Sequence, residues 1–324
     1  MTAFGIRATF LDFIEDPWRH VGRESEAARF YADGLLVVED GRIADFGAHD
    51  EVAARHAGLV VTTISDRLIL PGFIDGHVHF PQTRVIGAFG EHLLPWLQKW
   101  VFPEEIKFKD RAYACEAAGR FFDNLLASGT TTCQAFTTTA SAATEELFDD
   151  AARRNMRLIA GLTGIDRLAP ADYALSAENF YRDNKRLIER YRRQGRGLYA
   201  ITPRNAHVMA NNAMLDDPAE AERNKLSAYR GFWSITLGGA EGLYIDDLVG
   251  NFAPGKEADF VVLDCNGGPP ALAWRQSLIA EDGKPATLEQ AADLLFGLMV
   301  VGDDRAIEQT WAMGRQVYLR RGSN

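Results

Sequence analysis

The sequence predicts an α/β protein, and two observations support this prediction. Between about residue 68 and residue 209, apolar strand-like runs alternate with segments of helical periodicity, the order typical of a parallel sheet covered by helices. The first seventy residues instead contain short strand-like runs, which indicates a second, β-rich region. With 324 residues, the chain is long enough for one large domain and a smaller companion.

The β-rich region begins the chain. Residues 34–41 form an apolar run that closes on Asp40-Gly41, a dipeptide typical of a tight hairpin turn, and residues 42–47 return as its partner strand. Four further strands are predicted at residues 68–79, 129–136, 157–161 and 198–203. Helices are predicted at residues 111–128, 145–153, 176–194, 219–233 and 288–298.

Composition narrows the class of protein. The formal net charge of −10 argues against nucleic acid and anionic membrane surfaces as partners. No apolar run approaches the ~20 residues of a membrane span, and no signal peptide is recognised. The three cysteines show neither a disulfide framework nor a metal-binding spacing. We therefore expect a soluble, cytoplasmic protein.

Residues 71–80, Pro-Gly-Phe-Ile-Asp-Gly-His-Val-His-Phe, contain the most informative pattern. His77 and His79 are two residues apart at the end of a predicted strand, so their side chains point to the same face. Two imidazoles aimed in one direction can bind one metal ion. Two histidines that only make hydrogen bonds in a loop would show the same spacing.

The residues before this pair resemble the first barrel strand of the amidohydrolase superfamily, where the His-x-His supplies two metal ligands. Other segments resemble the guanine deaminases of that superfamily: residues 80–83, 86–90, 93–97, 102–105, 236–241, 247–264, 302–305 and 311–318. The resemblance implies one zinc ion per chain, with His77 and His79 as ligands. It also implies that guanine or a related purine is the substrate, with Gln82 bonded to its edge and Arg204 to its carbonyl oxygen.

In that family a metal-bound hydroxide attacks the amino-bearing carbon of guanine, a carboxylate relays the proton, and xanthine and ammonia are formed. The chain departs from the family at one substrate position. A phenylalanine commonly follows the arginine and stacks on the base, whereas this chain has Asn205. Stacking at that position is therefore not expected.

A complete (β/α)₈ barrel requires about 250 residues, and residues 68–209 can hold about four to five of its units. The resemblance therefore implies an incomplete (β/α)₈ amidohydrolase barrel at residues 68–244, made of strands one to four and the last helix. Residues 1–67 and 245–324 are predicted to form a small composite β-sandwich domain beside it.

The absent strands would supply the family's remaining histidine and aspartate ligands and its proton-relay glutamate. No histidine follows His207, which lies in the loop after the fourth strand and does not match the family's next ligand. Glu104 and Asp166 are nearby acidic residues, but neither has the position of the relay glutamate. The catalytic residues therefore stay unknown at this point.

Two classes of function remain open. One is a zinc-dependent guanine deaminase-like aminohydrolase whose activity is impaired or lost. The other is a non-catalytic relative that acts only as a binding or association module. The free edges of a four-stranded sheet also predict a homo-oligomer, because unpaired strand edges favour association.

Overall fold

The computed structural model describes residues 3–90, 92–165, 169–192, 195–203, 226–280 and 282–320. The chain forms two compact units. The first comprises residues 1–74, 126–131 and 213–324, and the second comprises residues 75–125 and 132–212. The domain boundaries predicted near residues 67 and 245 stay predictions.

The strands in the described residues are β1 Ala3–Phe13, β2 Ala28–Glu39, β3 Arg42–Ala48, β4 Val61–Pro71, β5 Phe73–His79, β6 Thr130–Phe136, β7 Arg157–Gly161, β8 Thr163–Gly164, β9 Gly197–Tyr199, β10 Thr202–Pro203, β11 Phe260–Leu263, β12 Ile307–Ala312 and β13 Arg315–Leu319. The α-helices are α1 His49–Arg55, α2 Leu93–Trp96, α3 Phe102–Ile106, α4 Arg111–Ala127, α5 Ser141–Arg154, α6 Ala177–Tyr191, α7 Ala228–Ser234, α8 Leu237–Gly242, α9 Pro270–Ser277 and α10 Leu288–Val301. None of these helices is long and apolar enough to cross a membrane.

The first unit contains a seven-stranded sheet in the order β13-β12-β11-β4-β1-β2-β3. Strand β1 is antiparallel to β2 and parallel to β4, and β11 is antiparallel to both β4 and β12. The arrangement of these strands as a two-layered β-sandwich stays a prediction. Because β4 pairs with β1 on one side and β11 on the other, strands from both ends of the chain join one continuous sheet.

Both faces of this sheet pack against apolar side chains. Successive residues of a strand point to opposite faces, so the residues of one strand divide between two apolar clusters. In β11, Phe260 and Val262 belong to a cluster with Phe10 and Ile69. Their neighbours Val261 and Leu263 belong to a different cluster, which includes residues of α7 and α10. A strand that is buried on both faces is a continuous apolar run, as residues 260–263 are.

A buried ion pair links β1 and β2. Asp12 is fully buried, and Arg29 binds it with two bonds, Nε to Oδ1 at 2.9 Å and Nη2 to Oδ2 at 2.5 Å. The backbone N–H of Phe252 donates to the same carboxylate at 2.8 Å. Burial raises the pKa of Asp12, although Arg29 acts in the opposite direction.

Asp45 on β3 makes the stability of the first unit depend on pH. Arg55 donates to it at 2.8 and 2.9 Å, and His56 lies 3.0 Å away. The bond from Arg55 is the main reason that the pKa of Asp45 falls from 3.8 to about 2.

Because this carboxyl is more acidic in the folded chain than in the unfolded chain, its contribution is complete above about pH 4. The contribution disappears as the pH falls through about 2, so Asp45→Asn should flatten the pH dependence in that window. After solvent screening we expect a difference of about 1 kcal/mol. Urea denaturation at several pH values measures it, with Asp50→Asn as control, because the Asp50 side chain is 99% exposed. Equal pH profiles for the two variants would contradict the assignment.

The second unit contains a four-stranded sheet in the order β5-β6-β7-β9. Strands β6 and β7 are parallel, and so are β7 and β9. The predicted α/β alternation is therefore observed, with α5 between β6 and β7 and α6 between β8 and β9. Within the described part of the chain, β5 and β9 lie at the two edges of this sheet.

The predicted strand at residues 198–203 is divided in two. Strand β9 ends at Tyr199, and β10 pairs with β8 in a separate two-stranded sheet. The division occurs where Gly161 meets the following chain so closely that a Cβ atom would lie 1.7 Å from the carbonyl oxygen of Ala200. The Thr202 hydroxyl then donates to the carbonyl oxygens of Gly161 and Leu162, at 3.0 and 2.9 Å. The structure begins α7 at Ala228, and residues 219–225 of the helix predicted at 219–233 lie outside the described residues.

Candidate functional site

The two histidines of the sequence pattern lie side by side at the end of β5. Their ring centroids are 5.1 Å apart and their planes cross at 82°. The backbone N–H of His77 donates to the carboxylate of Asp75 at 3.0 Å, which fixes the chain just before the pair. His77 is exposed, whereas His79 is half-buried.

An aromatic side chain from the next strand contacts both histidines. Phe136, the last residue of β6, stacks on His79 with a centroid distance of 5.0 Å and meets His77 edge-on at 5.4 Å. Sequence reasoning did not select Phe136. The available signal was its position, because the ends of neighbouring strands in an α/β sheet meet at the edge where such sites lie.

Gln82 lies on a 3₁₀ turn, Phe80–Val85, that follows β5 directly. The turn is fixed at its start by Phe80, which is fully buried against the rings of Phe108 and Phe121. From this turn the Gln82 amide reaches back towards the histidines. Its Nε2 atom lies 3.3 Å from His79 Nδ1 and donates to Glu105 Oε1 at 3.0 Å.

The structure brings Glu105, and not Glu104, to Gln82. Glu104 instead accepts a bond from Lys107 Nζ at 2.6 Å and another from the hydroxyl of Tyr113. The bond to Glu104 is the main cause of the raised pKa of Lys107. Adjacent residues of a helix point about 100° apart. The sequence Pro-Glu-Glu therefore could not show which of the two carboxylates faces the histidines.

A cavity of about 320 Å³ opens beside these residues. This volume lies within the range of small-molecule sites, which are mostly apolar with a few polar groups that orient the ligand. His77, His79 and Gln82 supply polar atoms, and Val85, Ile86 and Trp96 supply apolar wall. The arrangement suits a small planar heterocycle with polar edges.

The described residues do not fit a catalytic zinc site. Such a site usually requires three protein ligands and an open position. Within the described ranges, no group of three or more histidine, cysteine, aspartate or glutamate side chains is placed to hold a metal ion.

Several residues singled out from the sequence lie outside the described residues: Asp166, Arg204, Asn205 and His207. The roles predicted for Arg204, His77, His79 and Gln82 therefore stay predictions. What the structure places together is the pair of histidines, Gln82 and, through it, Glu105.

Comparisons of the sequence and of the structure with known proteins agree with one another. The model of the amidohydrolase family matches residues 68–206 and 203–317. The guanine deaminase of Escherichia coli K12 is 31% identical over an alignment that covers 98% of each chain. The crystal structure of guanine deaminase from Bradyrhizobium japonicum has a TM-score of 0.94 at 44% identity, covering 99% of this chain and 100% of that one.

The alignment with the Escherichia coli protein contains many positions that this chain does not fill. It spans 447 positions, whereas the chain has 324 residues, so at least 123 positions (447 minus 324) hold no residue of this chain. The two segments matched by the family model meet at residues 203–206. A more distant structure, an adenosine deaminase from Xanthomonas campestris with bound zinc, shares the fold at 15% identity and a TM-score of 0.68, covering 98% of this chain and 93% of that one.

Proposed function

Since the chain belongs to the amidohydrolase family and aligns along nearly all of its length with a guanine deaminase, we propose that it is a guanine deaminase-type protein with impaired deamination. In this proposal it keeps part of the purine site. The observation that supports the proposal best is the cavity that His77, His79 and Gln82 line together.

Each residue of the predicted site has a proposed role. Gln82 would bond the edge of the purine, and Phe136 and Trp96 offer aromatic surface near the histidines. Arg204 would bond the carbonyl oxygen, since its guanidinium presents five fixed donors. His77 and His79 are the two zinc ligands that the family resemblance implies, but the described residues do not complete a zinc site, so no step is assigned to a metal in this chain.

We propose that deamination is impaired for two reasons. The alignment with the Escherichia coli protein contains at least 123 positions that this chain does not fill, and the described residues contain no group of three or more possible metal ligands. The segments matched by the family model meet at residues 203–206, where the sequence predicts that strands five to eight are absent. These strands would have supplied the other ligands and the proton-relay glutamate. The predicted homo-oligomer is kept as part of the proposal, and the exposed apolar side chains of Ile86, Phe89, Leu93 and Leu94 offer a surface for it.

Purine binding and zinc content together test the proposal. Equilibrium dialysis with labelled guanine should show saturable binding, and Gln82→Ala should weaken it roughly five- to tenfold, the effect of one lost hydrogen bond. Elemental analysis should find well under one zinc ion per chain after dialysis without added metal.

The matched control is Gln98→Ala, which removes an exposed glutamine from the second unit without touching the cavity. Its guanine affinity should equal that of the unsubstituted chain. A stoichiometric zinc ion that resists chelators would show that the ligand set is complete, and a complete lack of guanine binding would remove the purine site from the proposal.

A further inference from the structure

We propose that Glu105 is a positioning residue that fixes the orientation of the Gln82 amide, so that Gln82 meets a ligand with its carbonyl oxygen as a hydrogen-bond acceptor. The inference deepens the proposed function and rests on it, because the ligand is the purine of that site. It concerns which atom of Gln82 recognises the ligand, and therefore which ligands are accepted.

The nitrogen of the Gln82 amide is already hydrogen-bonded within the protein. A glutamine side chain has two N–H donors on Nε2 and one acceptor oxygen. Nε2 is directed at Glu105 Oε1, at 3.0 Å, and at the Nδ1 atom of His79, at 3.3 Å. Both donors are engaged by these contacts. The carbonyl oxygen is the amide atom that they leave for a ligand in the cavity.

The opposite orientation of the Gln82 amide is unfavourable. Rotation of the amide by 180° would place its oxygen against a carboxylate oxygen of Glu105, so two acceptors would face each other. Glu105 is 1% exposed, so water would not readily replace the lost donor. A buried acceptor that loses its donor is penalised, and more so when it is charged.

Glu105 is itself held in place by a buried tyrosine. The hydroxyl of Tyr173 donates to its Oε2 atom. Tyr173 is 1% exposed and packs on Phe102 with ring centroids 5.4 Å apart. The hydroxyl of Thr139 donates to the backbone oxygen of Tyr173 at 2.8 Å. The Glu105 carboxylate therefore accepts hydrogen bonds from two separate parts of the second unit, Tyr173 and Gln82. Tyr173 fixes the position of Glu105, and Glu105 in turn fixes the orientation of the Gln82 amide.

The consequence is a rule for ligand choice. A carbonyl oxygen accepts from an N–H group and repels another acceptor, so the site favours a planar heterocycle with an N–H at the edge that faces Gln82. Guanine carries several such N–H groups. A purine in which the relevant N–H is replaced by N–CH₃ would lose the bond and meet a steric obstacle.

The experiment compares guanine with its singly N-methylated derivatives in equilibrium dialysis. One derivative should bind at least about tenfold more weakly than guanine to the unsubstituted chain, which identifies the N–H that faces Gln82. In Glu105→Ala the Gln82 amide is free to rotate, so guanine affinity should fall roughly five- to tenfold, and discrimination against that derivative should shrink. Glu105→Gln can still accept from Gln82 and should restore most of the discrimination.

Glu104→Ala is the matched control. It removes a buried carboxylate from the same helix, but one that bonds Lys107 and Tyr113, so discrimination should not change. A Glu105→Ala variant that weakens guanine and the methylated purine equally would overturn the proposal, because a purely structural role predicts that result.

A second readout needs no ligand. Nitrogen NMR of histidine-labelled protein, assigned with His79→Gln, should show an unprotonated Nδ1 atom on His79 that becomes partly protonated in Glu105→Ala. If the unsubstituted chain binds no purine, the proposed function fails, and this tautomer then decides on Glu105 alone. An unprotonated Nδ1 that changes in Glu105→Ala supports the positioning role, and an unchanged tautomer overturns it.

Discussion

Guanine should be converted to xanthine by this chain at least about 10² times more slowly than by the Escherichia coli guanine deaminase in the same assay. The loss of a positioned carboxylate that relays the proton is expected to slow the reaction by a factor of about 10²–10⁴ on its own. The described residues add a second deficit, since they contain no group of three or more side chains placed to hold a metal ion, whereas a catalytic zinc usually needs three protein ligands. Loss of the metal-bound hydroxide would widen the difference further.

Xanthine formation followed by absorbance or chromatography, with ammonia measured in parallel, tests this expectation. His77→Ala and His79→Ala should leave the residual rate nearly unchanged, because little of it depends on a metal at these residues. The controlling comparison is the unsubstituted Escherichia coli guanine deaminase, measured in the same assay. Steady xanthine production by the unsubstituted chain that disappears in His77→Ala would refute impaired deamination.

Arg29→Met should lower the free energy of unfolding by about 3–5 kcal/mol at pH 7, the range measured when one partner of a buried ion pair is removed. The reason is that Asp12 stays fully buried while it loses both bonds from the guanidinium and keeps the backbone N–H of Phe252. A methionine of similar length retains much of the packing, so the lost pairing dominates.

The sequence offers a matched control on the same two strands. Arg7 and Asp33 also pair through two bonds, at 2.7 and 2.6 Å, but their side chains are 40% and 51% exposed. Arg7→Met should therefore cost under about 1 kcal/mol. Urea denaturation of both variants measures the difference, and equal losses would show that burial of Asp12 is not the cause.

The Arg29→Met deficit should also depend on pH in a defined direction. Burial already raises the pKa of Asp12, and removal of Arg29 takes away the main opposing influence. When a carboxyl has a higher pKa in the folded chain than in the unfolded chain, its protonation stabilises the folded state. The deficit relative to the unsubstituted chain should therefore shrink as the pH falls from 7 towards 5. A deficit that grows in this range would contradict the account.

Local sequence patterns predicted the part of the site that depends on local geometry. The two-residue period of a strand places His77 beside His79, and Gln82 follows within one short turn. Glu105 was missed because its role depends on which way a five-residue helix faces, and tertiary packing with Tyr173 decides that. Phe136 was missed for a related reason, since its contact with the histidines comes from the alignment of two strands.

The same distinction applies to the fold. Alternating strands and helices were enough to predict the α/β unit, and the turn at Asp40-Gly41 predicted the hairpin of β2 and β3. The order of the seven strands could not be predicted, because it depends on how strands from distant parts of the chain pair. The pairing of Leu68 with Leu263 leaves no signal in the local pattern of either strand.

That long-range pairing also bears on how the first unit tolerates changes in the chain between its two halves. Pro71 pairs with Phe260, so the sheet closes a loop of about 190 residues. If the at least 123 positions that this chain leaves unfilled in the alignment with the Escherichia coli relative were all inserted between these two residues, the loop would lengthen to about 310 residues. The entropy of closing a loop grows only with the logarithm of its length, so the two lengths differ by about 0.4 kcal/mol, in favour of the shorter loop. Chain entropy alone therefore hardly changes the stability of the seven-stranded sheet when the chain between β4 and β11 is shortened or lengthened by this amount.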